Sequence, residues 1–218
     1  MRRKVLLLIF SALACFVAYE NHRRDREVRR VRDIERLGGF VDHGGRFIVL
    51  GGADITDATI DRLHNFPELE YLALPETAIG PHGISGLRQF KLLVGLEVLR
   101  TRVSLPFCAQ VGALPNLRVL KMIQTTTTDE CLPQLSQISG LEVLDLSNCP
   151  ISGSGLRHLV ALRNLRSLSL SSTNVGDEGV VHLRELPQLK FVELEHTRVT
   201  LSGISQLRDA FPACQIVY

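Results

Sequence analysis

The sequence is first informative for what it has little of. Among 218 residues there is no Trp, and only 3 Tyr, 2 Met and 9 Phe. The five cysteines, Cys15, Cys108, Cys131, Cys149 and Cys214, are odd in number and form no CxxC or close Cys/His cluster. That argues against a disulfide framework and a structural zinc site. Net charge is only +2, too little to pull the chain towards nucleic acid. There is no GxSxG, no HExxH and no phosphate-binding loop, Gly51-Gly52 lacking the rest of that motif. Glu193 and Glu195 form a carboxylate pair without a cleft to perturb it. No catalytic residue, metal or cofactor is therefore assigned, and the chain reads as non-enzymatic. Disorder is excluded too, because the chain is 45% hydrophobic and only 22% charged.

What is present begins at the N-terminus. Arg2, Arg3 and Lys4 precede an apolar run over residues 5–18. This is shorter than the roughly 20 residues that span a bilayer, and a basic segment followed by such a run is the export-signal pattern. Ser11-Ala12-Leu13-Ala14-Cys15 reads as a cleavage site or as a loose lipobox with Cys15 as the lipidated residue; the run continuing to Ala18 fits an uncleaved anchor. Residues 1–19 are expected to be a signal peptide or membrane anchor that places the rest at the cell membrane or envelope, or secretes it. Residues 20–44 are dense in Arg, and Val28, Val31, Ile34 and Leu37 recur every third residue. They predict a helix with one apolar stripe, ended by Gly38-Gly39, which covers the first edge of the following domain while its Arg face meets anionic lipid.

From residue 45 the chain repeats every 24 residues: seven units and a terminal stub make one domain over residues 45–218. The register is carried by Leu69, Leu93, Leu117, Leu141, Leu165 and Leu189 at position one, and by Leu72, Leu96, Leu120, Leu144 and Leu168 at position four. Positions four and six alternate as in a short strand, while sixteen, nineteen and twenty-two follow a helical stripe. Ser or Thr at position twelve is placed to cap that helix, and Asp57, Asp129 and Asp177 lie at its positive end. Stacked strand–turn–helix units bury a continuous core that one unit cannot bury alone.

The segment Leu165-x-x-Leu168-x-Leu170-x-x-Thr173-x-Val175-Gly176-Asp177-x-Gly179-Val180-x-x-Leu183-x-x-Leu186 resembles the leucine-rich repeat family, nearest its ribonuclease-inhibitor-like form with 24-residue repeats, as in exported bacterial proteins. Ile34-Glu35-Arg36-Leu37-Gly38-Gly39 resembles the segment that leads into such repeats. The resemblance implies an α/β solenoid, with a curved parallel sheet on the concave side and helices on the convex side, after an N-terminal apolar helix. It departs at position nine, where many families keep Asn and this chain has Ala53, Thr77, Thr101, Thr125, Cys149, Thr173 and Thr197, which offer fewer hydrogen bonds.

In this family partners dock on the concave face, so the resemblance implies a binding surface. Its candidate residues are Tyr71 and Phe191 at position three, Glu97, Lys121, Asp145 and Glu193 at position five, and Arg100 and His196 at position eight. The partner is a protein or a glycan. Against this stands a plainer reading, in which Glu97, Lys121 and Asp145, and likewise Arg118, Glu142 and Arg166, neutralise one another across strands. A scaffold without a dedicated partner and, more distantly, a hydrolase are the alternatives. His158 and His182 read as solvated rather than metal-binding. Cys108 and Cys149 read as core thiols, with a Cys108–Cys131 bridge as the alternative. The short terminal strand is expected to leave the solenoid monomeric.

Overall fold

The computed structural model describes residues 28–42 and 44–218. The segment 1–19, with Cys15 and its cleavage or lipidation motif, lies outside the described residues, as does the start of the Arg-rich segment. No helix among the described residues is long and apolar enough to cross a membrane.

Nine strands form one sheet in sequence order: β1 (Phe40–Val41), β2 (Phe47–Val49), β3 (Tyr71–Pro75), β4 (Gly95–Leu99), β5 (Val119–Ile123), β6 (Val143–Asp145), β7 (Ser167–Ser169), β8 (Phe191–Glu193) and β9 (Gln215–Val217). β1 pairs antiparallel with β2, and every later pair is parallel. The partners of Leu72 are Ile48 and Leu96, those of Leu144 are Leu120 and Leu168. Each is offset by the 24 residues of the repeat. Between strands the chain returns through α2 (Asp57–Arg62), α3 (Pro81–Gly86), α4 (Leu105–Gly112), α5 (Leu132–Leu135), α6 (Asp177–Leu183) and α7 (Leu201–Ala210). In the fifth repeat the return over Gly153–Ala161 is 3-10 rather than α-helical. Gly153 and Gly155 disfavour an α-helix there, and Gly153 lies so close to Gly179 of the next repeat that neither has room for a β-carbon.

The periodic positions all turn inward. Leu72, Leu96, Leu120, Leu144 and Leu168 have no exposed surface, and with Ile60, Leu63, Leu135 and Leu159 they share one continuous core. Each such side chain contributes about 1.5–3 kcal/mol on burial. Two per strand outweigh any exposed ion pair, worth under about 1 kcal/mol. The core sets the register, and the outward residues are carried by it.

Three further devices fix the turns and join neighbouring repeats. At position nine, Thr101 Oγ1 accepts from the Thr77 N–H at 3.1 Å, and Thr125 Oγ1 donates to the Met122 carbonyl at 3.2 Å. The Cys149 thiol donates to the same carbonyl, while Thr173 and Thr197 donate to Leu170 and Leu194. Threonine and Cys149 thus bond the turn backbone at the position where many families keep Asn. At position thirteen, Asp57, Asp129 and Asp177 do more than sit near their own helix ends. Their carboxylates accept from the N–H of Gly80, Ser152 and Thr200, the N-cap residues one repeat later. Each aspartate faces a glycine 26 residues on, Gly83, Gly155 or Gly203, where a β-carbon would collide with its Oδ1.

The third device is at position eight. Glu76, Arg100, Gln124, Asn148, Ser172 and His196 all have left-handed backbones, with φ between 51° and 58°, and Gly52 begins the series. The turn aims each of five N–H groups, from Glu76 to Ser172, at a carbonyl in the next repeat, as Glu76 does to Leu99 at 2.7 Å.

At the start of the solenoid, α1 (residues 28–36) lays Ile34 fully into the core, with Leu37 packed against it. Val28, the first residue of the expected stripe, is instead 51% exposed. Gly38, at φ 73°, ends the helix, and the Gly39 N–H reaches back to the Ile34 carbonyl. Gly39 then passes Val49, Leu50 and Ile34 with no room for a side chain.

Candidate functional site

One face of the sheet packs on the returns and the other is open. All eight sequence candidates stand on the open side, half-buried along the strands or exposed at their ends. Tyr71, Glu97 and Lys121 come together. The Tyr71 hydroxyl donates to Glu97 Oε2 at 3.1 Å, and the Lys121 ammonium stands 3.6 Å from the same oxygen. Partial burial, and then the Glu97 charge, push the Tyr71 phenol up, which keeps it a protonated donor. The Tyr71 ring lies over Gly95, whose missing side chain leaves the space it occupies.

Asp145 does not complete the expected alternation with Lys121. Its carboxylate turns to its own strand end and accepts from the Ser147 N–H at 2.9 Å. Glu193 accepts from the Ser169 hydroxyl at 2.7 Å, and Ser169 meets Ser147 at the same distance. Arg100 is held between Glu76 and Gln124, at 3.0 and 2.9 Å. Phe191 is half-buried and His196 exposed on the eighth strand and its turn. The neutralising ladder expected at position two is real, because Glu142 meets Arg118 at 2.6 Å and Arg166 at 3.9 Å. That ladder, with Glu70, Leu92, Asn116 and Asn164, borders a shallow groove of about 660 Å³ along the rim where the strands begin.

Two features were not read from the sequence. Phe40, on the antiparallel strand, is 56% exposed and meets Phe47 edge to face at 6.4 Å between centroids. Phe47 in turn stacks on Tyr71 at 5.1 Å. Phe47 and Tyr71 begin a row that continues through Gly95 to Val119 and Val143 on one level of the sheet, while Phe40 stands opposite Val49. No repeat-based reading places Phe40, because it precedes the first repeat. The left-handed column at position eight did leave a trace: Gly52 and Asn148, both tolerant of that conformation, share it.

The described cysteines are all free thiols, so no bridge joins Cys108 to Cys131. Among the described residues no group of three His, Cys, Asp or Glu is arranged to hold a metal.

Family models described as Leucine Rich Repeat match residues 140–162 and 161–184. No curated protein matches the chain. Among solved structures, a leucine-rich repeat protein of Leptospira interrogans is 21% identical, with a TM-score of 0.52 over 72% of this chain and 39% of that one. The internalin inlF of Listeria monocytogenes is 16% identical, with a TM-score of 0.56 over 82% and 57%. Internalin C2 of the same organism is 19% identical, with a TM-score of 0.51 over 74% and 76%. The chain thus spans well under two thirds of the length of the first two. At these identities the likeness is one of fold. A leucine-rich repeat domain suggests a protein-interaction module. On the repeat register, the matching models and the shared solenoid, the seven repeats form a leucine-rich repeat solenoid, two of whose units match the family models directly.

Proposed function

We propose that the protein binds a partner protein on the open face of its sheet, without catalysis, and is held at the cell envelope by residues 1–19. The observation that carries the reading is the ring cluster of Phe40, Phe47 and Tyr71, continued by half-buried Val119 and Val143 on an uncovered sheet. Apolar rings next to a paired Glu97 and Lys121 match the centre and rim of protein interfaces. A preformed sheet loses little entropy on docking. Attachment rests on the basic and apolar start of the sequence.

Proximity labelling in the native cell identifies the partner, and its binding to purified protein tests the face. Phe47→Ala with Tyr71→Ala is expected to weaken binding at least about tenfold, as expected for aromatic anchors. His158→Ala on the helical side should leave it unchanged. If every captured protein binds the double variant as well as wild type, the open-face reading fails. Membrane fractionation tests attachment. A lipoprotein is released by Cys15→Ser, an anchored chain is not, and wild-type protein that is fully soluble overturns envelope attachment.

A further inference from the structure

We infer that the notch between α1 and the first repeat binds a phosphate group, whether on a lipid headgroup or free in solution. The notch encloses about 380 Å³ and is lined by Arg30, Arg36, Arg62, His64, Asp33 and Phe66 among others. Three arginines thus face a single carboxylate there. Asp33 is taken by Arg36, at 3.5 Å. Among the described residues no carboxylate pairs with Arg30 or Arg62, whereas Arg46, Arg100, Arg118 and Lys121 on the sheet each face one.

Arg30 carries the more telling feature. Its guanidinium lies over the Phe66 ring at 5.5 Å, and Nη1 donates to the Asn65 carbonyl. These contacts hold the fork in place. Its Nε is nevertheless buried with no acceptor among the described residues. A buried guanidinium N–H without an acceptor is costly, and native structures seldom leave one. His64 is oriented as well: Nδ1 donates to the Asp61 carbonyl at 2.6 Å, which leaves Nε2 as an acceptor for a ligand hydroxyl. A fixed arginine fork with an unused N–H and a second arginine without a counter-charge make a donor set for a charged oxyanion. A tetrahedral phosphate fits such forks better than a single-oxygen acceptor does.

The test uses the full chain in detergent, with inorganic phosphate and dihexanoyl phosphatidylglycerol as probes at constant ionic strength. Calorimetric titration should show saturable binding of at least one. Tighter binding of the lipid by about tenfold or more assigns the site to a headgroup, and the reverse order assigns it to free phosphate. Arg62→Gln with His64→Gln removes two exposed groups outside the core, so its thermal midpoint without ligand should match wild type while affinity falls at least about fivefold. Arg30→Lys keeps the charge but removes Nε and the fork, and should weaken binding by a similar factor. Absence of saturable binding to both probes, or unchanged affinity in the folded double variant, overturns the assignment. Neither result bears on the open face of the sheet.

Discussion

The open face changes character halfway along the sheet. From β3 to β5 its position-seven residues are Pro75, Leu99 and Ile123, beside the Tyr71–Glu97–Lys121 contact and the aromatic cluster. These strands run five residues each. From β6 to β8 the same position holds Ser147, Ser171 and Glu195, and the strands run three. Bulky and β-branched residues favour extended backbone, whereas the Asp145 carboxylate captures the Ser147 N–H and ends its strand early. Beneath both halves the inward ladder is the same. The core therefore leaves the outward positions free, and at position seven the first half has filled them with apolar side chains that the second lacks.

The largest expected effect tests that shared core. Leu96→Ala and Leu168→Ala, one in each half and both fully buried, should each cost about 2–5 kcal/mol. Urea unfolding measures both, and a cost in one half only would show that the halves do not share a core. Thr125→Val comes next. Its hydroxyl meets the Met122 carbonyl, Thr127 and Cys149, all buried, so about 1–3 kcal/mol should be lost. Thr197→Val in the last repeat, half-buried and bonded to Leu194, should lose less.

Ser172→Gly should act in the opposite direction. Ser172 has a left-handed backbone and an exposed side chain, so glycine should raise stability by about 0.5–1 kcal/mol. Gln124→Gly relieves the same backbone in the first half but loses the bond from Arg100, so its gain should be smaller. The smallest effect is local. Hydrogen bonds from Thr200, through its hydroxyl and its N–H, hold the Asp177 carboxyl below the ordinary carboxylate range. A depressed pKa stabilises the folded state above the ordinary value, and that contribution fades as pH falls through the lowered one. Amide protection factors at Thr200 and Ser202, which remove the intrinsic pH dependence of exchange, should fall with acid in wild type, and be low and insensitive to acid in Asp177→Asn.

The fold was legible because a core residue recurring every 24 positions leaves an arithmetic trace, as Leu72, Leu96, Leu120, Leu144 and Leu168 do. Even the aspartate–glycine staple has a readable offset, 26 residues from Asp57 to Gly83, from Asp129 to Gly155 and from Asp177 to Gly203. The candidate site was less legible. Residues such as Asp145 and Lys121 sit in the expected row, yet whether neighbours pair depends on which competing partner is nearer, and Ser147 won Asp145.

What the sequence determined alone is therefore periodic: the repeat length, the inward residues and the parallel register, each fixed by the need to bury the same positions next to one another. What the tertiary structure decided is aperiodic. It brought Phe40 across an antiparallel turn onto Phe47 and closed α1 against the first repeat to form the arginine notch. Those contacts join residues that no repeat relates, so only three-dimensional proximity could select them.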